Sequence, residues 1–428
     1  GIGNWVLKIE LKNSVIQAMP SGVAWFFSTK HHFSTFHFLL STFICNFVHM
    51  KYESTYLEDL GVTIESASFL PQKGVAEWHM MLHVEPRGQL FEGQMQRIYE
   101  AEDRILHMPA YAGAQYILKR YFLSDSTNQH PLMRHESHVA VSYIQQQPLD
   151  GSKIAVWLYL QRGMDMSVEH GVVVAKHNGY SHLWKMGMCS NTGDSAQRTE
   201  TVLLEYEDDL KHFDATLADN CIRTWFFVRD VDTQYGGLVR ARRENFIQQG
   251  LTEKTHYISS TGIGGNPPET KALIQLGTYA LTGFKPEQQR YLYAPTHLNP
   301  TYEYGVTFER GTALEYGDRA HVFISGTASI NNKGEVVHVG NIVEQTRRMW
   351  ENVGKLLEEA DTSYDDVMHL IVYLRDTADY PLEREMFAER FPDIPTVFTL
   401  APVCRPTWLI EMECMAVKPR NNADYQDF

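Results

Sequence analysis

Two carboxylates, Glu411 and Glu413, stand two residues apart among Trp408, Leu409, Ile410, Met412, Cys414 and Met415. The stretch alternates with the period of a strand, so both acids fall on one face. Paired acids on a strand ordinarily meet water, but the apolar flanks here place the strand deep. A buried carboxylate costs several kcal/mol unless it is paired or hydrogen-bonded, or else its pKa rises. Glu411 and Glu413 are therefore candidates for general acid or base chemistry, with a sheet-edge acid paired to an arginine as the alternative.

The elements around that strand are legible in the same region. Residues 323–330 read as a strand and Lys333-Gly334 as the turn after it. Ile342, Met349, Val353, Leu356, Leu357 and Ala360 recur at helical spacing over 341–360. A β-rich strand follows at 367–374, then a helix over 379–391 with Pro381 in its first turn. This ββαβαββ order carries the run Ser325-Gly326-Thr327-Ala328, the groups Glu344-Gln345-Thr346 and Glu351-Asn352, and the closing Ile410-Glu411-Met412-Glu413. Over residues 320–418 it resembles the YjgF/RidA family.

The same pattern recurs along the chain. The strand ending Leu374-Arg375-Asp376 follows a helix, as does the one ending Val228-Arg229-Asp230 after a helix over 196–217. An earlier strand ends Leu123-Ser124-Asp125 after a helix over 90–106. Each is followed by polar residues and a pair of strands: 139–146 and 153–161 in the first unit, 255–260 and 272–281 in the second. The expected fold is α+β, with three tandem RidA-like (chorismate-mutase-like) units over 50–162, 163–285 and 286–428. RidA proteins are trimeric barrels, so the resemblance implies an intrachain pseudo-trimer needing no partner to close it, and hence a monomer or dimer.

Laid over one another, the units differ in their acids. Leu273-Ile274-Gln275-Leu276-Gly277 aligns with Leu409-Ile410-Glu411-Met412-Glu413, and Val156-Trp157-Leu158-Tyr159-Leu160 aligns with the same segment in the first unit. One of three potential sites keeps its acids. The arginine that RidA enzymes carry in the strand before the last falls here on Val397, and in the second unit on Tyr257 and Ile258. Valine cannot supply a bidentate carboxylate clamp.

At 428 residues the chain is long enough for two or three cores. A net charge of -14 and a pI near 5.7 argue against a nucleic-acid partner. The five cysteines are scattered, odd in number and without metal spacing, which suits a reducing cytoplasm. Residues 1–49 hold few acids. Their aromatic stretch 33–48 is short and polar for a membrane span, so they read as a leader outside the fold, with a targeting tag as the alternative.

Four stretches resemble the chorismatase branch of the superfamily: Arg223-Thr224-Trp225 with Gly236-Gly237-Leu238, Ser260-Thr261-Gly262-Ile263-Gly264, Tyr304-Gly305 with Phe308-Glu309-Arg310, and Ser325-Gly326-Thr327-Ala328-Ser329 with Cys404-Arg405. The resemblance implies Glu411 and Cys404 as the catalytic residues, with Glu411 protonating the substrate and Cys404 lining the pocket. It implies no cofactor or metal, and a small dicarboxylate substrate held by Arg223, Arg310 and Arg405, with Tyr304, Thr327 and Glu413 nearby. The expected function is chorismatase-like hydrolysis releasing pyruvate. The alternatives are RidA-type enamine or imine deamination, and non-catalytic binding of a small acid.

Overall fold

The computed structural model describes residues 7–11, 14–18, 24–27 and 50–428, the side chains of the first three of these segments and of Tyr304 excepted. Leu7–Leu11 (β1), Ser14–Ala18 (β2) and Ala24–Phe27 (β3) form a three-stranded antiparallel sheet of their own. The rest of 1–49, and with it the reading of that stretch as a leader, lies outside the described residues.

From Lys51 onward the chain repeats one plan three times. The first unit runs Lys51–Leu57 (β4), Val62–Phe69 (β5), Ala76–Val84 (β6), Phe91–His107 (α1), Gln115–Leu123 (β7), the short helix Ser126–Gln129 (α2), Ala140–Gln145 (β8), Gln147–Pro148 (β9) and Ile154–Arg162 (β10). The second runs Asp165–Glu169 (β11), Val172–His177 (β12), Tyr180–Cys189 (β13), Ser195–Lys211 (α3), Leu217–Asn220 (α4), Cys221–Val228 (β14), Val231–Gln248 (α5), Ser259–Gly264 (β15) and Ile274–Thr282 (β16). The third runs Gln289–Leu292 (β17), Gly311–Glu315 (β18), Arg319–Ala328 (β19), Ile342–Glu359 (α6), Val367–Leu374 (β20), Tyr380–Arg390 (α7), Thr396–Leu400 (β21) and Ile410–Pro419 (β22).

The three sheets share one strand order. They read β4-β5-β6-β10-β7-β8, β11-β12-β13-β16-β14-β15 and β17-β18-β19-β22-β20-β21, with β9 of the first unit added at the last edge. In each, the final strand runs antiparallel between the third and fourth, and the fifth lies parallel beside the fourth. The repeat is therefore one of topology as well as of sequence.

Inward-facing residues of all three sheets, among them Met81, Trp157, Trp184, Trp225, Phe323 and Ile371, share a single apolar core. Separate cores lie under α1 in the first unit and under α3 and α5 in the second. A sheet covered by helices on one face must bury the other, and three fused units do so against one another within the chain.

Register corrects two of the sequence alignments. Glu411 lies opposite Tyr373, the residue before the strand-ending Leu374. Gln275 lies opposite Phe227 in the same place, as the sequence reading held. In the first unit the corresponding residue, opposite Phe122, is Ala155. The first-unit counterparts of Glu411 and Glu413 are thus Ala155 and Trp157, three residues earlier than the sequence placed them. Likewise β15 begins at Ser259 rather than near 255, so Thr261, not Tyr257 or Ile258, stands where the third unit has Val397.

The helix α5 is a further departure, since the sequence of this region predicts a polar connection. Its Gly236-Gly237 pair argues against a helix interior, where glycine costs about 1 kcal/mol relative to alanine. Packing explains the second glycine: a β-carbon at Gly237 would collide with the Ser195 hydroxyl at the start of α3. The two helices lie side by side, joined by Glu207 accepting from Asn245 at 2.6 Å and Gln249 at 2.7 Å.

Candidate functional site

Glu411 and Glu413 share a face of β22, yet their surroundings differ completely. Glu413 is 2% exposed and sits where the three units meet. Its Oε1 accepts from Arg120 of the first unit at 3.2 Å and from the Trp225 indole at 3.1 Å. Its Oε2 accepts from Arg223 at 2.7 Å and from the Thr261 hydroxyl, both of the second unit. Both guanidinium groups also lie 5.0 Å from the Trp225 ring. Two of the expected substrate contacts are thereby reassigned. Arg223 and Glu413 are held on each other across a unit boundary, because a charge taken out of water needs an opposite charge and hydrogen-bond partners to replace its hydration.

Glu411 faces the other way along the boundary, into a cleft of about 340 Å³ between the second and third units. Burial pushes its carboxyl up to about 8; the neighbouring Glu413 charge adds to this, and Arg223 and Arg310 oppose it. The carboxyl needs the room that Gly326 leaves, since a β-carbon there would collide with Glu411 Oε1. An acid still protonated at neutral pH can donate a proton to a ligand, which an ordinary glutamate at that pH cannot.

Cationic groups converge on the same cleft. Arg310, just before β18, is 4% exposed and donates to the carbonyl and side-chain oxygens of Asn299 at 3.1 and 3.3 Å. Arg405, in the turn before β22, reaches the Gly334 carbonyl at 3.4 Å and lies 4.8 Å over the Trp408 ring. Arg242 comes from α5 and was not anticipated. Its Nε donates to Thr307 Oγ1 at 3.2 Å and its Nη1 to Ser260 Oγ at 3.4 Å. Tyr235, also on α5, packs over Gly262 of β15.

Cys404 lines the cleft as expected, half-buried, with its thiol pushed up to about 12 by burial and by the nearby Glu411 charge. A thiol so disfavoured as thiolate is a wall rather than a nucleophile. Thr327 is a correction: it is 1% exposed, donates to the Ser325 carbonyl at 2.8 Å and does not line the cleft. The side chain of Tyr304 lies outside the described residues, although its neighbour Gly305 borders the opening. The structure therefore brings together Glu411, Cys404, Arg310 and Arg405, adds Arg242 and Tyr235, and removes Arg223, Glu413 and Thr327. Among the described residues, no three His, Cys, Asp or Glu are grouped to hold a metal, and no helix is long and apolar enough to cross a membrane.

The equivalent boundary between the first and second units is furnished differently. There Gln275 stands in the place of Glu411, accepts from Ser142 at 3.1 Å and donates to the Tyr143 carbonyl at 3.3 Å. Both ends of this amide are engaged by protein, and it carries no acidic proton to donate.

Comparison with known proteins bears on the third unit and on the whole fold separately. Residues 313–418 match the family model described as Endoribonuclease L-PSP. The 3-aminoacrylate deaminase RutC of Acinetobacter baylyi is 39% identical over 72 residues, a match spanning 17% of this chain and 57% of that protein. A RutC family protein of Pyrococcus abyssi is 38% identical over 100 residues, 23% of this chain and 78% of that protein. A solved chorismatase superposes with a TM-score of 0.57 over 70% of this chain and 92% of its own length. At 18% identity that likeness is one of fold.

Proposed function

The chain belongs to the YjgF/RidA superfamily, and from that premise we propose that it is a chorismatase-like hydrolase that cleaves the enol ether of a small dicarboxylate and releases pyruvate. The observation that carries this reading is Glu411, a carboxyl held near pH 8 in a cleft furnished with Arg242, Arg310 and Arg405. Chorismate is a substrate of this kind, with one carboxylate on its ring and one on its enolpyruvyl side chain.

The chemistry follows from the arrangement. Glu411 donates its proton to the methylene carbon of the enol ether, and the ether oxygen stabilises the cation that forms. Water adds to that cation as its proton returns to Glu411. The resulting hemiketal then breaks its bond to the ring oxygen as its hydroxyl proton passes to that oxygen, giving pyruvate and the ring alcohol. The arginines hold the two carboxylates and orient the double bond toward Glu411. Cys404 and Tyr235 shape the wall beside it.

Because the working form of Glu411 is protonated, kcat/KM should be level through neutral pH and fall as pH rises through about 8. A profile rising through that range would assign Glu411 to a base instead. Arg405→Ala should raise KM about tenfold or more, the loss of about 1.5–3 kcal/mol for a hydrogen bond to a charged group, with kcat less affected. Steady-state kinetics with chorismate checks both.

A second reading, deamination of enamines or imines, is supported by the sequence likeness to the RutC deaminase. Against it, the strand position that would carry the family's arginine holds Thr261, whose hydroxyl donates to Glu413. Ammonia release from 2-aminoacrylate, without pyruvate release from chorismate, would establish that reading in place of the first.

A further inference from the structure

A second cleft, of about 460 Å³, opens where the third unit meets the first. Its parts correspond to those of the Glu411 cleft: a helix and fifth strand from one unit (α7 and β21), and outer strands from the next (β5 and β6). Cross-strand register makes the comparison exact by residue. In the third unit Ala328 lies opposite Glu411, whereas in the first His83 lies opposite Ala155. The titratable side chain has crossed to the neighbouring strand, and the acid has become alanine.

His83 is flanked by two carboxylates. Its Nδ1 lies 3.3 Å from Asp150 Oδ2, and its Nε2 lies 3.8 Å from Glu65 Oε2. The Glu65 oxygen also accepts the Thr396 N–H at 3.0 Å, which fixes it across the unit boundary. Asp150 Oδ1 is held by the Ser152 N–H at 2.9 Å. Burial disfavours the charged imidazole, but the contacts with Asp150 and Glu65 outweigh it and raise His83 to about 10. The same contacts keep both carboxyls below their usual range despite burial. One imidazolium between two carboxylates leaves the floor of the cleft with one net negative charge.

The facing wall is aromatic. Phe387 and Phe398 pack edge to face at 5.1 Å between centroids, Tyr380 and Phe398 at 5.5 Å, and Phe391 lies beside Phe387. Arg384 stands exposed among the lining residues, where solvent screens it. An ionised carboxylate has about four acceptor sites, so Glu65 and Asp150 keep capacity beyond their present partners. Residual negative charge with spare acceptors, opposite aromatic faces, suits a cation carrying an apolar body.

We propose that this cleft binds a small organic ammonium ion, its charged end at Glu65 and Asp150 and its apolar body against Phe387, Phe391 and Phe398. The site is independent of the hydrolysis assigned to Glu411, since Ala155 occupies the position of that acid.

Isothermal titration of the full chain with phenethylamine, beside the neutral 2-phenylethanol, tests it. The amine should bind saturably at millimolar concentration, with the alcohol weaker by about tenfold or more. Glu65→Gln and Asp150→Asn should each weaken the amine by about tenfold. Arg384→Glu, at the exposed mouth, should tighten it severalfold without changing the melting temperature. Glu411→Gln should leave amine binding unchanged, so the two sites stand or fall separately. No amine binding at roughly 10 mM, equal binding of amine and alcohol, or amine binding indifferent to both Glu65→Gln and Arg384→Glu would overturn the proposal.

Discussion

Replacing Glu413 with alanine lowers the unfolding free energy by about 3–5 kcal/mol, the range for removing one partner of a buried ion pair. The substitution leaves Arg120 and Arg223, 0% and 2% exposed, without the carboxylate that joins them. It also removes the acceptor for the Trp225 indole and the Thr261 hydroxyl. Because Glu413 and these partners together span all three units, the loss acts on their association as well as on one sheet. Urea denaturation of both proteins measures it. A midpoint unchanged within error would mean that water enters and replaces the carboxylate, and would remove Glu413 from its place at the junction. The conservative Glu413→Gln keeps the volume but not the charge, and should fall between the two.

The second large effect is on turnover. Glu411→Gln should reduce kcat by a factor of about 10²–10⁴, the usual contribution of a positioned acid, while the protein remains folded. The amide is already accommodated at Gln275, in the same place on β16. The stability of the variant carries its own signature. A buried carboxyl raised to about 8 holds its proton over a pH range in which the unfolded chain has released it. The folded state therefore binds more protons there, and wild-type stability falls as pH rises from the ordinary glutamate range to about 8. The variant lacks this slope, so its melting temperature relative to wild type should climb with pH over that window. A fixed difference across it would show that Glu411 titrates normally.

The fold could be read from the sequence where signals were local. The Leu374-Arg375-Asp376 and Val228-Arg229-Asp230 strand ends marked the repeat, and the apolar spacing of α6 marked its helix. What failed were signals that depend on distant partners. Arg120 and Glu413 lie 293 residues apart, so nothing in either neighbourhood announces that they meet. Arg223 accordingly read as a free cation for a substrate. The helix α5 was hidden by Gly236 and Gly237, of which the second is explained only by the approach of α3. Missing that helix meant missing Tyr235 and Arg242. The chorismatase-like run Ser260-Thr261-Gly262 did point to the facing strand, and Gly262 is where Tyr235 packs. Glu411 was found because an acid in an apolar strand is itself a local contradiction. Glu413 shares that strand, and only its partners separate the roles of the two.

If Glu411 delivers a solvent-derived proton to the methylene carbon of an enol ether, that proton must end in the methyl group of pyruvate. Turnover of chorismate in heavy water, with the pyruvate reduced at once by lactate dehydrogenase, tests it most directly. Lactate carrying one deuterium in its methyl group should form with the wild-type chain and be absent with Glu411→Gln. Lactate with a fully protiated methyl group, or equal product from the variant, would contradict it.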